Sequence, residues 1–243
     1  MVIHWNPWHG CHKMSEGCLN CYVYFLDRRY GRDTSVVTRS KTGFNLPIAK
    51  NRLKEYKIPS GTIISVCLNS DFFIGDADPW RDEAWKIMEE RCDCYFFIIT
   101  KRVLRIPLTL PKNWGNGYPN VEIDVTTENQ RAADQRLPIF IDTPVSYRGI
   151  IVSPVLEVIA LERFLATGKI AAVSASGESY SGARITNFDD ILTIRKQCID
   201  HNVSFTFHQT GRYLLKDSKI FSVARAMERK LASQFGLDFV AKQ

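Results

Sequence analysis

Three cysteines, Cys11, Cys18 and Cys21, form a C-x6-C-x2-C run close to the N-terminus. Three thiolates at such a spacing can hold three corners of a cuboidal iron–sulfur cluster. The fourth iron is then open to an outside ligand and can do chemistry, whereas a fully ligated cluster mostly transfers electrons. The same thiolates with one imidazole make a closed tetrahedral zinc site, and His4, His9 and His12 lie near enough in sequence to supply it. Cys67, Cys92, Cys94 and Cys198 are scattered. The single residue between Cys92 and Cys94 is too short for a C-x2-C knuckle, so these four read as small buried hydrophobes.

The other chemistry-bearing residues come in short polar runs. These are Asn69-Ser70-Asp71, Thr100-Lys101-Arg102, Thr126-Thr127-Glu128, Ser153-Pro154, Ser176-Gly177-Glu178-Ser179 and His208-Gln209-Thr210-Gly211. Each follows an apolar run of strand type: residues 63–68, 95–99, 121–125, 149–152, 170–173 and 203–207. The runs are apolar on both faces, as in strands that helices cover. Helical patterns fall between them. Asp78-Pro79 offers an N-cap and a first-turn proline, ahead of a stripe of Trp80, Ala84, Trp85 and Met88. Asn187 caps a second helix, with Phe188, Ile191, Leu192, Cys198 and Ile199 on its buried face. A third helix spans about 218–236, with Ile220, Val223, Ala224, Met227 and Leu231 on one side.

Alternating β and α elements imply a parallel sheet. Polar groups after many successive strands suit a (β/α) barrel, which lines one mouth with all its strand ends. An open sheet concentrates its site at one switch point. The expected fold is α/β: a partial (β/α) barrel of six to eight parallel strands, in one domain over 1–243. A cluster-binding loop spans 8–22, and residues 21–32 form a helix.

Taken in order, Trp5-Asn6-Pro7, the cysteine run, Asn69-Ser70-Asp71-Phe72-Phe73, Thr100-Lys101-Arg102, Pro119-Asn120-Val121, Thr127-Glu128-Asn129-Gln130, Gly177-Glu178-Ser179 and Gln209-Thr210-Gly211 resemble the phage and bacterial three-Cys-motif family. That family is itself similar to radical S-adenosylmethionine enzymes. The resemblance implies a [4Fe–4S] cluster on Cys11, Cys18 and Cys21, with S-adenosylmethionine cleaved to a 5′-deoxyadenosyl radical. It places Asn69, Ser70 and Asp71 against the methionine amino group. By their place after a strand, Lys101 and Arg102 are expected to meet the methionine carboxylate or a substrate phosphate. Thr126 and Glu128, two apart on an extended chain, suit ribose hydroxyls. Glu178 and His208 face substrate as catalytic residues, with Arg184 and Gln209 as substrate contacts. The sequence departs from the usual radical-enzyme pattern, C-x3-C-x2-C, in its first gap. The aromatic residue that often precedes the last cysteine is replaced by Asn20.

The 243-residue chain carries 45% apolar residues and a net charge of +6, so it can bury a large core and tolerates a nucleic-acid partner without demanding one. No apolar run reaches the ~20 residues of a membrane span, and the first residues have no signal-peptide pattern. The expectation is a cytoplasmic enzyme with an electron donor for its cluster, a nucleic-acid or nucleotide-derived substrate and, from the family, a dedicated partner protein. Trp114 and Tyr118 could stack on an unstacked base or be ordinary packing residues. Three other readings compete: a zinc-binding Cys3His interaction module, a nucleic-acid enzyme with no redox step that uses Asp71, Glu128 and Glu178 on a hard metal, and a barrel that only binds a partner.

Overall fold

A computed structural model describes residues 1–242. Seven strands form the main sheet: β1 (Val2–Trp5), β2 (Ile63–Val66), β3 (Tyr95–Thr100), β4 (Val121–Thr126), β5 (Arg148–Val152), β6 (Ala172–Ser176) and β7 (Ser204–Gln209). Their order in the sheet is their order in the chain. The fold is therefore the partial (β/α) barrel expected from the alternation. The principal helices are α1 (Tyr22–Arg29), α2 (Asp78–Glu90), α3 (Gln130–Asp142), α4 (Phe188–Asp200) and α5 (Arg225–Gln234). Among the described residues no helix is long and apolar enough to cross a membrane.

The chain divides into two compact units. The first comprises Met1–His12, Asp27–Asp124 and Asp142–Tyr147; the second comprises Lys13–Leu26, Val125–Ile141 and the chain from Arg148 on. In the first unit β1, β2 and β3 pair in parallel, and the register sets Trp5, Val66 and Ile98 side by side. All three are buried. Trp5 donates through Nε1 to Phe44 O at 2.9 Å, and Trp85 of α2 packs edge-on to Phe72 at 4.7 Å. On the opposite side β2 and β3 are half-buried at Ser65, Phe97 and Ile99 and open only at their first residues. Val2, Ile63 and Tyr95 are exposed there, where the sequence reads as apolar throughout. In the second unit β5, β6 and β7 pair in parallel, aligning the buried Ile150, Val173 and Phe205.

Three local expectations change. The first turn of α2 uses Ala77 as its N-cap, without a side-chain cap. Asp78 instead pairs with Arg81 and with Arg105, because two guanidinium groups outcompete a single backbone amide for its carboxylate. In α4 Asn187 does cap, accepting from Asp189 N at 3.1 Å, but Leu192 and Ile199 face solvent while Ile194 and Gln197 are buried. The C-terminal helix starts at Arg225, not near 218. Residues Tyr213–Lys216 and Lys219–Ser222 form a hairpin instead, turned at Asp217 and Ser218 with positive φ of 50° and 59°. This hairpin pairs with Ile185–Asn187 in a three-stranded sheet. The expected apolar stripe does not hold: Ile220 and Met227 are exposed, and Glu228 and Ala232 are buried.

Candidate cofactor site

In the first unit Cys11 follows Gly10, whose backbone sits at φ +99°. A side chain there would also bring a Cβ to 2.4 Å from Val36 O, so only glycine lets the loop turn at this point. The loop is tied to the end of β2: Gly10 N donates to Asn69 O at 3.2 Å and the Ser70 hydroxyl donates to Gly10 O. Asn6 Oδ1 in turn accepts from Asn69 N at 3.0 Å. Asn69 and Ser70 thus hold the cysteine-bearing loop through backbone groups.

Asp71 is buried, and the chain uses both its oxygens. Oδ1 accepts from Phe73 N at 2.9 Å and Thr100 Oγ1 at 2.8 Å. Oδ2 accepts from Lys101 N at 3.0 Å and Arg102 Nη1 at 3.0 Å. Four bonds occupy the four lone-pair directions of a carboxylate. Arg102 continues from Asp71 to the cysteine. Its Nη1 lies 3.7 Å from Cys11 Sγ, and its Nη2 donates to His12 O at 2.8 Å. The Asp71 carboxylate therefore aims a guanidinium at the Cys11 thiol.

In the second unit Cys18 ends a single 3-10 turn, Glu16–Cys18, and Cys21 immediately precedes α1. Ser15 Oγ is 3.9 Å from Cys18 Sγ. The segment is anchored by two strand-end glutamates. Glu128, fully buried after β4, is gripped by Arg136 of α3, with Nη1 at 2.8 Å from Oε2. Arg136 Nη1 also donates to Thr126 O at 2.6 Å, so Thr126 and Glu128 converge on an arginine. Glu128 Oε1 accepts from Gly17 N at 3.4 Å. A Cβ on Gly17 would meet the Glu128 side chain at 3.0 Å, a distance that requires glycine or a shifted glutamate.

Glu178, after β6, takes the other side of the segment. It accepts from Arg184 N at 2.8 Å, Arg184 Nε at 3.1 Å and Arg184 Nη2 at 2.5 Å. It also accepts from Asn20 Nδ2 at 3.1 Å. Partial burial pushes its carboxyl pKa up, but the Arg184 and Asn20 hydrogen bonds outweigh that and hold it below the ordinary glutamate value. Asn20 also donates to Gly182 O at 2.7 Å, and Arg184 Nη2 to Glu16 O at 3.2 Å. Asn20, which lies between Cys18 and Cys21, is thereby bolted to the end of β6. Nothing in the spacing signalled this role; an asparagine between two cysteines reads as a turn residue.

The remaining residues are placed as follows. Gln209 Nε2 donates to Gly177 O at 2.9 Å and Ser179 Oγ at 2.8 Å. His208 lies on the exposed side of β7, opposite the buried Phe207. Lys101 contributes its backbone amide to Asp71. Trp114 is 4% exposed, donates to Pro144 O and packs between Trp85 and Tyr118 at 5.1 and 4.8 Å. It is a core residue.

Cys11, Cys18 and Cys21 are half-buried thiols outside any disulfide. Their chemistry fits a soft metal centre, with an arginine donating toward the Cys11 sulfur and a serine hydroxyl beside that of Cys18. Among the described residues, no group of three or more His, Cys, Asp or Glu side chains is drawn together to hold a metal ion. His9 Nε2 is 2.8 Å from the buried Asp27, and His12 Nε2 is 3.0 Å from Asp76. His4 is exposed on β1.

Residues 2–236 match the family described as Protein of unknown function (DUF5131). The chain belongs to the DUF5131 family. The match covers both units, so the cysteine run and all the strand ends lie within the family's extent. No curated protein and no solved structure matches the chain.

Proposed function

We propose that this DUF5131 protein is a radical S-adenosylmethionine-like enzyme carrying a [4Fe–4S] cluster on Cys11, Cys18 and Cys21, and that it acts on a nucleic-acid-derived substrate with an electron donor as partner. The observation that carries the reading is positional. In the first unit Cys11 follows β1 and is tied to the residues after β2 and β3; in the second unit the segment bearing Cys18 and Cys21 is tied to the residues after β4 and β6. When bound, the cluster and S-adenosylmethionine supply one-electron cleavage and hydrogen abstraction.

The chain's own residues do the holding. Asp71 and Arg102 set the field around Cys11, and Arg102 would have to give up its bond to His12 O to meet an anionic carboxylate or phosphate there. Glu128 with Arg136 and Glu178 with Arg184 fix the Ser15–Tyr22 segment. In this reading Glu128 and Glu178 are positioning residues, since their oxygens are occupied within the chain.

A second reading is favoured by the two histidines. A carboxylate on one imidazole nitrogen orients the other toward a metal, as in carboxylate–histidine–zinc arrangements, and both His9 and His12 have such a partner. A zinc-binding module would use one of them with the thiolates. Anaerobic purification with iron and zinc analysis decides between the two. About four irons per chain, with an EPR spectrum of the reduced protein that changes on adding S-adenosylmethionine, supports the enzyme. One zinc per chain and an EPR-silent protein overturns it.

A further inference from the structure

Part of this protein's arginine complement is held in ion pairs. Arg39, Arg81, Arg91, Arg102, Arg105, Arg136, Arg163 and Arg184 each pair with a carboxylate. One stretch of the second unit concentrates cations outside such pairs. Between Thr210 and Lys230 the sequence has six lysines and arginines against two acids, Asp217 and Glu228. Asp217 is engaged by Lys216. Glu228 is buried and accepts from the Ser179 hydroxyl. The other five cations, Arg212, Lys219, Arg225, Arg229 and Lys230, are exposed, and no ion pair involves them among the described residues.

These cations belong to one structural group. Lys219 is on the hairpin, Arg212 precedes it, and the rest lie in α5, where Arg225 and Arg229 are four apart and share a face. Aromatic faces are interleaved with them. Phe221 is 47% exposed on the edge strand of the hairpin sheet. Arg225 sits 4.2 Å over the Tyr180 ring, and Tyr180 stacks on Tyr22, the residue after Cys21, at 6.3 Å. The basic surface therefore runs into the cysteine-bearing segment.

We infer that the hairpin and α5 bind the sugar-phosphate backbone of a single-stranded nucleic acid, with the exposed rings of Phe221 and Tyr22 as stacking surfaces for its bases. Unpaired cations interleaved with exposed aromatic rings are the features by which proteins track a single strand. An acidic protein partner would use the cations and leave the rings idle; a membrane surface would need a continuous apolar face on α5, which Arg229 and Lys230 interrupt. The inference rests on this surface alone and stands whether the cysteines hold iron or zinc.

The test is fluorescence anisotropy of the intact protein with labelled single-stranded DNA and RNA of about 30 nucleotides, and a duplex of the same length, between about 50 and 200 mM salt. The expected result is micromolar or tighter binding to the single strands that weakens steeply with salt. The triple variant R225E/R229E/K230E binds at least about tenfold more weakly, with a shallower salt dependence by about 0.7 per lost contact. Phe221→Ala weakens single-strand binding while leaving the salt slope unchanged. The control K86E/K112E, on α2 and the loop after β3, binds as the parent does. Absence of binding at low salt, equal binding by the triple variant at an unchanged melting temperature, or binding of polyglutamate or anionic vesicles in place of oligonucleotides each overturns the inference.

Discussion

Single side chains here are explained by what they hold. Glu178 read as a catalytic carboxylate from its place after a strand, yet four donors from Arg184 and Asn20 occupy it. Its consequence lies in the cysteines it anchors. Glu178→Gln keeps the shape and removes the charge, so Arg184 loses its counter-ion and Asn20 its acceptor strength, at a cost of about 1–3 kcal/mol. In the metal-free protein, alkylation of Cys18 and Cys21 by iodoacetamide should then speed up several-fold, with Cys11 unchanged. Equal rates for all three thiols would show that the segment is held elsewhere. The same anchor has a pH signature. The Glu178 pKa is lower folded than in an ordinary glutamate, so the unfolded chain binds more protons in acid and stability rises with pH. The anchor is at full strength above the ordinary glutamate pKa. It is lost as pH falls through the lowered value, and the Glu178→Gln variant should lack that part of the acid transition in a urea titration repeated between about pH 3 and 7. None of this was legible in the sequence, because a partner such as Arg184 or Gly182 is chosen by the turn after β6 and not by any motif.

Elements were the most legible level. The apolar runs at 63–68, 95–99 and 121–125 became strands because residues such as Phe96, Ile98 and Ile123 have no polar alternative to burial. The polar triplets after them became strand ends for the complementary reason. The hairpin at 213–222 was missed because its turn, Asp217-Ser218, lacks the glycine or asparagine that normally announces two positive-φ residues. Ile220, Val223 and Met227 also fall at helical spacing by coincidence, so periodicity named the wrong element. The loop between β3 and β4 offered two readings, and the structure bears out packing for Trp114. Its aromatics looked available for stacking, but Trp114 fills the space over Trp85 and its indole N–H is satisfied by Pro144 O. Trp114→Ala should destabilise the protein by about 3–5 kcal/mol in denaturant titration, as expected for a large buried aromatic. A loss under about 1 kcal/mol would return Trp114 to the surface and revive the stacking role.

At the scale of the whole molecule, the seven thiols form a graded set that separates metal chemistry from packing. Cys67, Cys94 and Cys198 are buried. Desolvation raises the thiol pKa of all three, that of Cys198 to about 12, so they hold almost no thiolate at neutral pH and should react only on unfolding. Cys92 is exposed and should react first, with or without metal. Cys11, Cys18 and Cys21 are half-buried, and Arg102 and Ser15 stand beside two of them. They should react at intermediate rates in the metal-free protein, and anaerobic iron and sulfide loading should protect all three together while leaving Cys92 unprotected. Loading should also raise the melting temperature, because a ligand bound only by the folded chain stabilises it by mass action. Mass-spectrometric footprinting of each cysteine, loaded and unloaded, reads all seven in one experiment. Protection of Cys18 and Cys21 without Cys11 would break the three-thiolate cluster while leaving a C-x2-C metal knuckle standing. Unchanged reactivity of all three would remove the metal centre, and the carboxylate–arginine network around them would then be an ordinary means of fastening one loop to the strand ends.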